Sequence, residues 1–193
     1  MSVFSLIVRR RLVLVLLLSA SLFACKQGPD KAEIIQLEQS YQTLLEANGP
    51  SSQREEMMVL SQQLADTYEA YVAANPGDLE SVDFLYKASE HLENPLNKPE
   101  KAIEVLDKIA TEFPEHPRAA DAMFRKGYIY HNTLQDLDKA KIAYNEFIQK
   151  YPDHQLIPSA KFEVEFLGIP TDELLERLPV NAEKSDNDSV LSE

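Results

Sequence analysis

Proline recurs every 38 residues at Pro76, Pro114 and Pro152, and its surroundings keep step. Phe113-Pro114-Glu115-His116 returns as Tyr151-Pro152-Asp153-His154, and Asn75-Pro76 stands one period earlier. Other columns hold the same register: Tyr86, Phe124 and Phe162; Tyr68, Leu106 and Tyr144; Tyr71, Ile109 and Phe147; Ala102 and Ala140. One proline pair would carry little weight. Several aromatic and small columns in one register mean a supersecondary unit reused along the chain. A single unit cannot bury its apolar stripe alone, so neighbouring units must cover one another.

Each unit reads as two amphipathic helices. Ala32–Ala47 carries Ile34, Leu37, Tyr41, Leu44 and Leu45 at helical spacing, and Asn48-Gly49-Pro50 ends it. Ser52 and Glu55 have the spacing of a capping box, opening a helix that runs to about Ala74 with Leu60, Leu64, Tyr68 and Tyr71 on one face. The short connection predicts an antiparallel pair. Asp78 is placed to cap a helix bearing Val82, Leu85, Tyr86, Ser89 and Leu92. Pro99 suits the first turn of the next helix, which Pro114 stops. Pro117 starts another, through Phe124 and Gly127 to Tyr130. Ala140, Tyr144 and Phe147 mark its partner, which Pro152 ends, and Pro158 opens a further helix through Leu167. Ala102, Ala140 and Gly127 fall where paired helices cross, and small side chains there allow close approach. His116 and His154 follow the stop prolines and read as turn residues.

Thr171-Asp172-Glu173 begins a short terminal helix with carboxylates at its positive end, and Leu174, Leu175 and Leu178 can cover the last repeat. Asn181–Glu193 is acidic and poor in apolar residues, the composition of a disordered tail. The expected organisation is a signal segment at 1–24, a tether at 25–31, a helical domain at 32–179 with about three helix pairs plus capping helices, and the tail at 180–193.

Arg9-Arg10-Arg11 followed by the uncharged Leu12–Ala24 has the form of a secretory signal. As a helix those thirteen apolar-region residues reach about 20 Å, short of the ~30 Å hydrocarbon layer, so a spanning segment is disfavoured. Leu22-Phe23-Ala24-Cys25 resembles the lipobox of bacterial lipoproteins. That resemblance implies cleavage before Cys25, diacylglycerol on its sulfur and acylation of its new N-terminus. Two or more acyl chains give stable anchoring without a spanning helix. It also accounts for Cys25 being the only cysteine. In the enterobacterial sorting pattern Asp after the Cys implies inner-membrane retention, so Lys26 points to the outer membrane, facing the periplasm.

Charge and motif spacing exclude several functions. The net charge is −13, and −16 once Arg9, Arg10 and Arg11 are removed, leaving 16 basic against 32 acidic residues. Such a surface does not suit nucleic acid, whose phosphates require clustered Lys and Arg. Residues His91, His116, His131 and His154 show no metal-ligand spacing, and the isolated glycines form no phosphate loop or nucleophile elbow. No catalytic residue, metal site or cofactor is expected.

The pattern Gly127-x-x-Tyr130, Ala140-x-x-x-Tyr144, Pro152 resembles the tetratricopeptide repeat, with Ser89, Leu92, Ala102, Leu106 and Pro114 as equivalents in the preceding unit. The period is longer than that family's ~34 by one residue before Ala140 and three after each proline. The resemblance covers roughly Leu79–Gly168, with Ala32–Pro76 a diverged first pair. It implies an all-α fold of antiparallel helix pairs stacked as a right-handed solenoid. Long repeats of this form are similar to those of bacterial envelope proteins, notably BamD-type assembly lipoproteins and the Tol–Pal-associated coordinator. The family binds polypeptides along the first helix of each pair. By register the partner-binding positions are Asp83, Tyr86 and Glu90, then Asp121, Phe124, Tyr128 and His131. The resemblance therefore implies a non-catalytic scaffold for another cell-envelope protein, held to the membrane through Cys25 and serving outer-membrane protein assembly. The alternatives are a coordinator linked to Tol–Pal and cell division, and a receptor for a small molecule or glycan.

Overall fold

Helix boundaries follow the caps and prolines. The structure, a computed structural model, describes residues 28–47, 51–170 and 173. The signal segment, Cys25, the Asn48–Pro50 turn, the capping leucines and the acidic tail lie outside the described residues, as does the Ser52 side chain of the expected capping box. Seven α-helices and no strands occur among the described residues: α1 (Lys31–Glu46), α2 (Ser51–Ala74), α3 (Ser81–Glu93), α4 (Pro99–Glu112), α5 (Pro117–Tyr128), α6 (Leu137–Lys150) and α7 (Ile157–Phe166). The all-α class and the paired-helix repeat expected from the sequence are what is observed. None of the described helices is long and apolar enough to cross a membrane.

The caps are chemically specific. Asp30 accepts the Glu33 N–H at 2.8 Å to start α1, and Asp136 accepts that of Lys139 at 3.1 Å to start α6. Asp78 acts one turn before α3: its carboxylate takes the Glu80 N–H at 3.1 Å and its carbonyl accepts from Ser81. The Asp78 carboxylate also accepts from the Tyr71 hydroxyl at 3.0 Å and pairs with Lys31 at 3.4 Å, which joins the start of α1 to the α2–α3 connection. A Cβ on Gly28 would collide with the Ala74 side chain, so packing against α2 requires glycine there.

His116 and His154 are equivalent in geometry as well as in sequence. Each backbone N–H donates to the residue before the stop proline, Phe113 or Tyr151, at 3.0 Å. Each ring Nδ1 then accepts the N–H two residues on, from Arg118 at 3.2 Å and Leu156 at 3.3 Å. The imidazole does the work that Ser or Asp does elsewhere, satisfying an orphan donor before a helix.

The chain divides into two compact units, the first extending to Ala122 and the second beginning at Met123. In the first, α2 packs on α1 and α3, and α3 packs on α4. Its core holds Ile34, Leu64, Tyr68, Val82, Leu85, Leu106 and Ile109, all buried. In the second, Phe124 meets Tyr144 and Phe147 with ring centroids 5.5 and 5.6 Å apart, and α6 packs on α7. A Cβ on Gly127 would lie 2.7 Å from the Tyr144 ring, which is why only glycine fits that crossing.

The extra residue before Ala140 has a structural counterpart. After Tyr128 the helix widens into a π-helical turn, Ile129–Thr133. There Leu134 N–H reaches Ile129 C=O at 3.0 Å and Asp136 N–H reaches Tyr130 C=O at 2.8 Å. One period earlier Leu96 and Lys98 donate in the same way to His91 and Leu92, at 3.1 and 2.7 Å. Gln135 and Asn97, also equivalents, both take positive φ, 55° and 51°. A one-residue insertion is thus absorbed at both sites by a wide turn and a left-handed residue.

Candidate functional site

In the first unit a cleft of about 410 Å³ opens between α1, α2, α3 and the loop after α3. Leu64 and Tyr68 of α2, Tyr41 of α1 and Pro95 provide its apolar and aromatic lining. Glu38, Gln42, Lys87, Glu90, His91 and Asn94 provide the polar lining. Helical spacing puts these groups together: Glu38, Tyr41 and Gln42 share a face of α1, and Lys87, Glu90, His91 and Asn94 share a face of α3.

Glu38 is the hub. Its Oε1 accepts from Lys87 Nζ and from the Tyr68 hydroxyl, both at 2.7 Å. Burial pushes its carboxyl up, but those two charge-assisted bonds outweigh burial and hold it below the usual carboxylate range. Burial, reinforced by the Glu38 carboxylate, drives the Tyr68 phenol upward, so it stays protonated and remains a donor. His91 stands edge-on to Tyr41, centroids 4.8 Å apart, and its buried Nδ1 has no hydrogen-bond partner among the described residues. Burial lowers its pKa, so the ring is neutral at pH 7.

The positions expected to face a partner divide between the two units. In the first, Arg118 sits among Asp83, Asp121 and Tyr86: Nε donates to Asp83 at 2.5 Å, an Nη to Asp121 at 3.3 Å, and the guanidinium lies 4.7 Å from the Tyr86 ring centre. Asp83 chiefly, together with Asp121, raises the guanidinium pKa further. Glu90 lies in the cleft wall. In the second unit, Phe124 enters the aromatic core, whereas Tyr128 remains exposed beside Arg125. His131, carried on the π-helical turn, donates through Nδ1 to Glu163 of α7 at 2.9 Å. Cys25 lies outside the described residues.

Sequence reasoning did not single out Arg118, Glu38, Lys87 or His91 as a cluster. Arg118 had a legible signal, a cation one turn from Asp121 at the start of a helix. The Glu38–Lys87 pair joins α1 to α3 across 49 residues and had none.

Residues 121–154 match the tetratricopeptide-repeat family, from Asp121 on α5 to the turn histidine after α6. That segment is a tetratricopeptide repeat. No curated protein and no solved structure matches the chain. The repeat includes Gly127, Ala140 and Tyr144, whose close packing is described above. Tetratricopeptide repeats generally mediate protein–protein interaction by presenting helix faces, a role that needs no reacting group. Among the described residues no group of three or more His, Cys, Asp or Glu is placed to hold a metal ion.

Proposed function

We propose that the protein is a non-catalytic, lipid-anchored scaffold of the bacterial cell envelope that presents its helices to another envelope protein during outer-membrane protein assembly. The tetratricopeptide repeat at 121–154 carries the reading, since that family works by binding polypeptides. The cationic and apolar N-terminal segment with its lipobox at Cys25 supports export and acylation, and Lys26 favours the outer membrane. A first described helix that begins six residues after Cys25 leaves room for only a short tether, which would hold the repeats close to the membrane surface. Exposed Tyr128 and half-buried Glu90, His131 and Tyr86 are the repeat positions offered to a partner.

Two experiments test the parts separately. Replacing Cys25→Ala should move the protein from the membrane fraction to the soluble periplasm, and continued membrane retention would refute the anchor. Chemical crosslinking in intact cells followed by mass spectrometry should recover one envelope protein reproducibly. Failure to recover any protein would refute the scaffold.

A further inference from the structure

We infer that the cleft between α1, α2 and α3 receives a lysine or arginine side chain presented by a partner polypeptide. This inference rests on the scaffold reading and gives it a docking chemistry.

Within the same unit, the chain already shows how it holds an internal guanidinium. Arg118 is received by two carboxylates, Asp83 and Asp121, and by the face of Tyr86. The cleft assembles the same kinds of group with no internal arginine among them: the carboxylates of Glu38 and Glu90 beside Tyr41 and Tyr68. Lys87 uses only part of that capacity. Both bonds to Glu38 fall on Oε1, so Oε2 accepts nothing from the described residues. The Glu90 carboxylate makes no ion pair with any described residue, and it lies near enough to act on the Tyr68 phenol.

With His91 neutral, two carboxylates face one ammonium, and the lining is left with a net negative charge. Aromatic walls attract a cation further, through the negative face of each ring. A volume of about 410 Å³ accommodates the end of a long basic side chain with some of its backbone. The acidic surface of the whole chain, −13, steers basic segments towards it. An anionic or purely apolar anchor would instead strand Glu38 Oε2 and Glu90 without a counter-charge, at a desolvation cost.

The test is a titration of the full-length lipoprotein in detergent micelles with N-acetyl-arginine amide, N-acetyl-lysine amide and the neutral isostere N-acetyl-citrulline amide. The His91 ring protons, identified by their loss in His91→Gln, report occupancy by NMR. Saturable shifts from both cationic probes are expected, with affinity at least about tenfold above that of citrulline, the worth of one charge-assisted bond over a neutral one. Glu90→Gln should weaken the cationic probes several-fold while leaving the helical circular dichroism unchanged. Glu104→Gln, exposed on α4 and outside the cleft, should leave binding as it was. Equal binding of citrulline, no response to Glu90→Gln, or no saturable shift at all would overturn the inference. Such a failure alongside a partner recovered by in-cell crosslinking would reject the cleft and leave the scaffold standing; no crosslinked partner would reject the scaffold itself.

Discussion

Tyr68 and Tyr144 stand in the same column of the repeat, two periods apart, and both are fully buried. Their hydroxyls have opposite fates. That of Tyr68 donates to Glu38 at 2.7 Å at the base of the cleft, whereas that of Tyr144 is buried without a hydrogen-bond partner among the described residues. Around Tyr144 the second unit is built for packing, with Gly127 and Phe124 against the ring. Around Tyr68 the first unit keeps Lys87, Glu90 and His91 at the positions that hold Glu163, Phe166 and Leu167 two periods later. Identical columns thus support one unit in which the tyrosine is a polar anchor and another in which it is mainly bulk.

The largest test of that contrast is Gly127→Val. Its new methyl groups would meet the Tyr144 ring, and overpacking at such a site costs about 3 kcal/mol. For a chain of this size that lowers Tm by about 10 °C, readable by circular dichroism. The preceding period uses buried Ser89 and Leu106 in these two columns, a larger residue with a smaller one. The double variant Gly127→Ser with Tyr144→Leu should therefore recover much of the stability that Gly127→Ser loses alone.

Next in size are the two hydroxyl deletions. Tyr68→Phe removes a donor to a partly buried carboxylate and should cost about 2 kcal/mol in chemical denaturation. Tyr144→Phe removes an unsatisfied buried group and should be neutral or stabilising by up to about 1 kcal/mol. Equal effects would erase the distinction between the units.

Arg118→Ala should cost about 1 kcal/mol, because its ion pairs are partly exposed and screened. High salt should shrink the difference from the parent protein, and Arg118→Lys should restore only part of it.

The smallest effect is on pH dependence. His91 has a folded pKa below its unfolded value, so the folded state binds fewer protons, and the associated stability is complete above about pH 6.5 and declines on acidification. Glu38 is also depressed, so its contribution is present above about pH 4.5 and is lost as pH falls through the folded value. Both limbs have the same sign: Tm should fall slightly from pH 7 to 5 and more steeply below. His91→Gln should flatten the upper limb alone, and a Tm independent of pH between 7 and 5 would contradict the buried neutral ring.

The repeat was legible because proline, glycine and the aromatic columns act locally and recur. Pro99, Pro117 and Pro158 open helices, Phe113 and Tyr151 end them, and Gly127 lies where the crossing needs it, all from short-range rules. The two wide turns were visible only as one surplus residue; nothing in Asn97 or Gln135 announced a left-handed backbone. The cleft was not legible, because it depends on a glutamate of α1 meeting a lysine of α3 and a tyrosine of α2, contacts that periodicity within one helix does not encode. Register on the family named Glu90 among the partner-facing positions but could not reveal that Arg118 would pair with Asp83 and Asp121.

Partner contact at the first unit is tested most directly by placing a photo-crosslinking residue at Gln42, on the cleft rim, and separately at the exposed Ile142 of α6, in living cells. Adducts from position 42 that map to a segment bearing lysine or arginine, and weaken with Glu90→Gln, are the predicted result. Adducts confined to position 142, or adducts from 42 on segments lacking a basic residue, would contradict it.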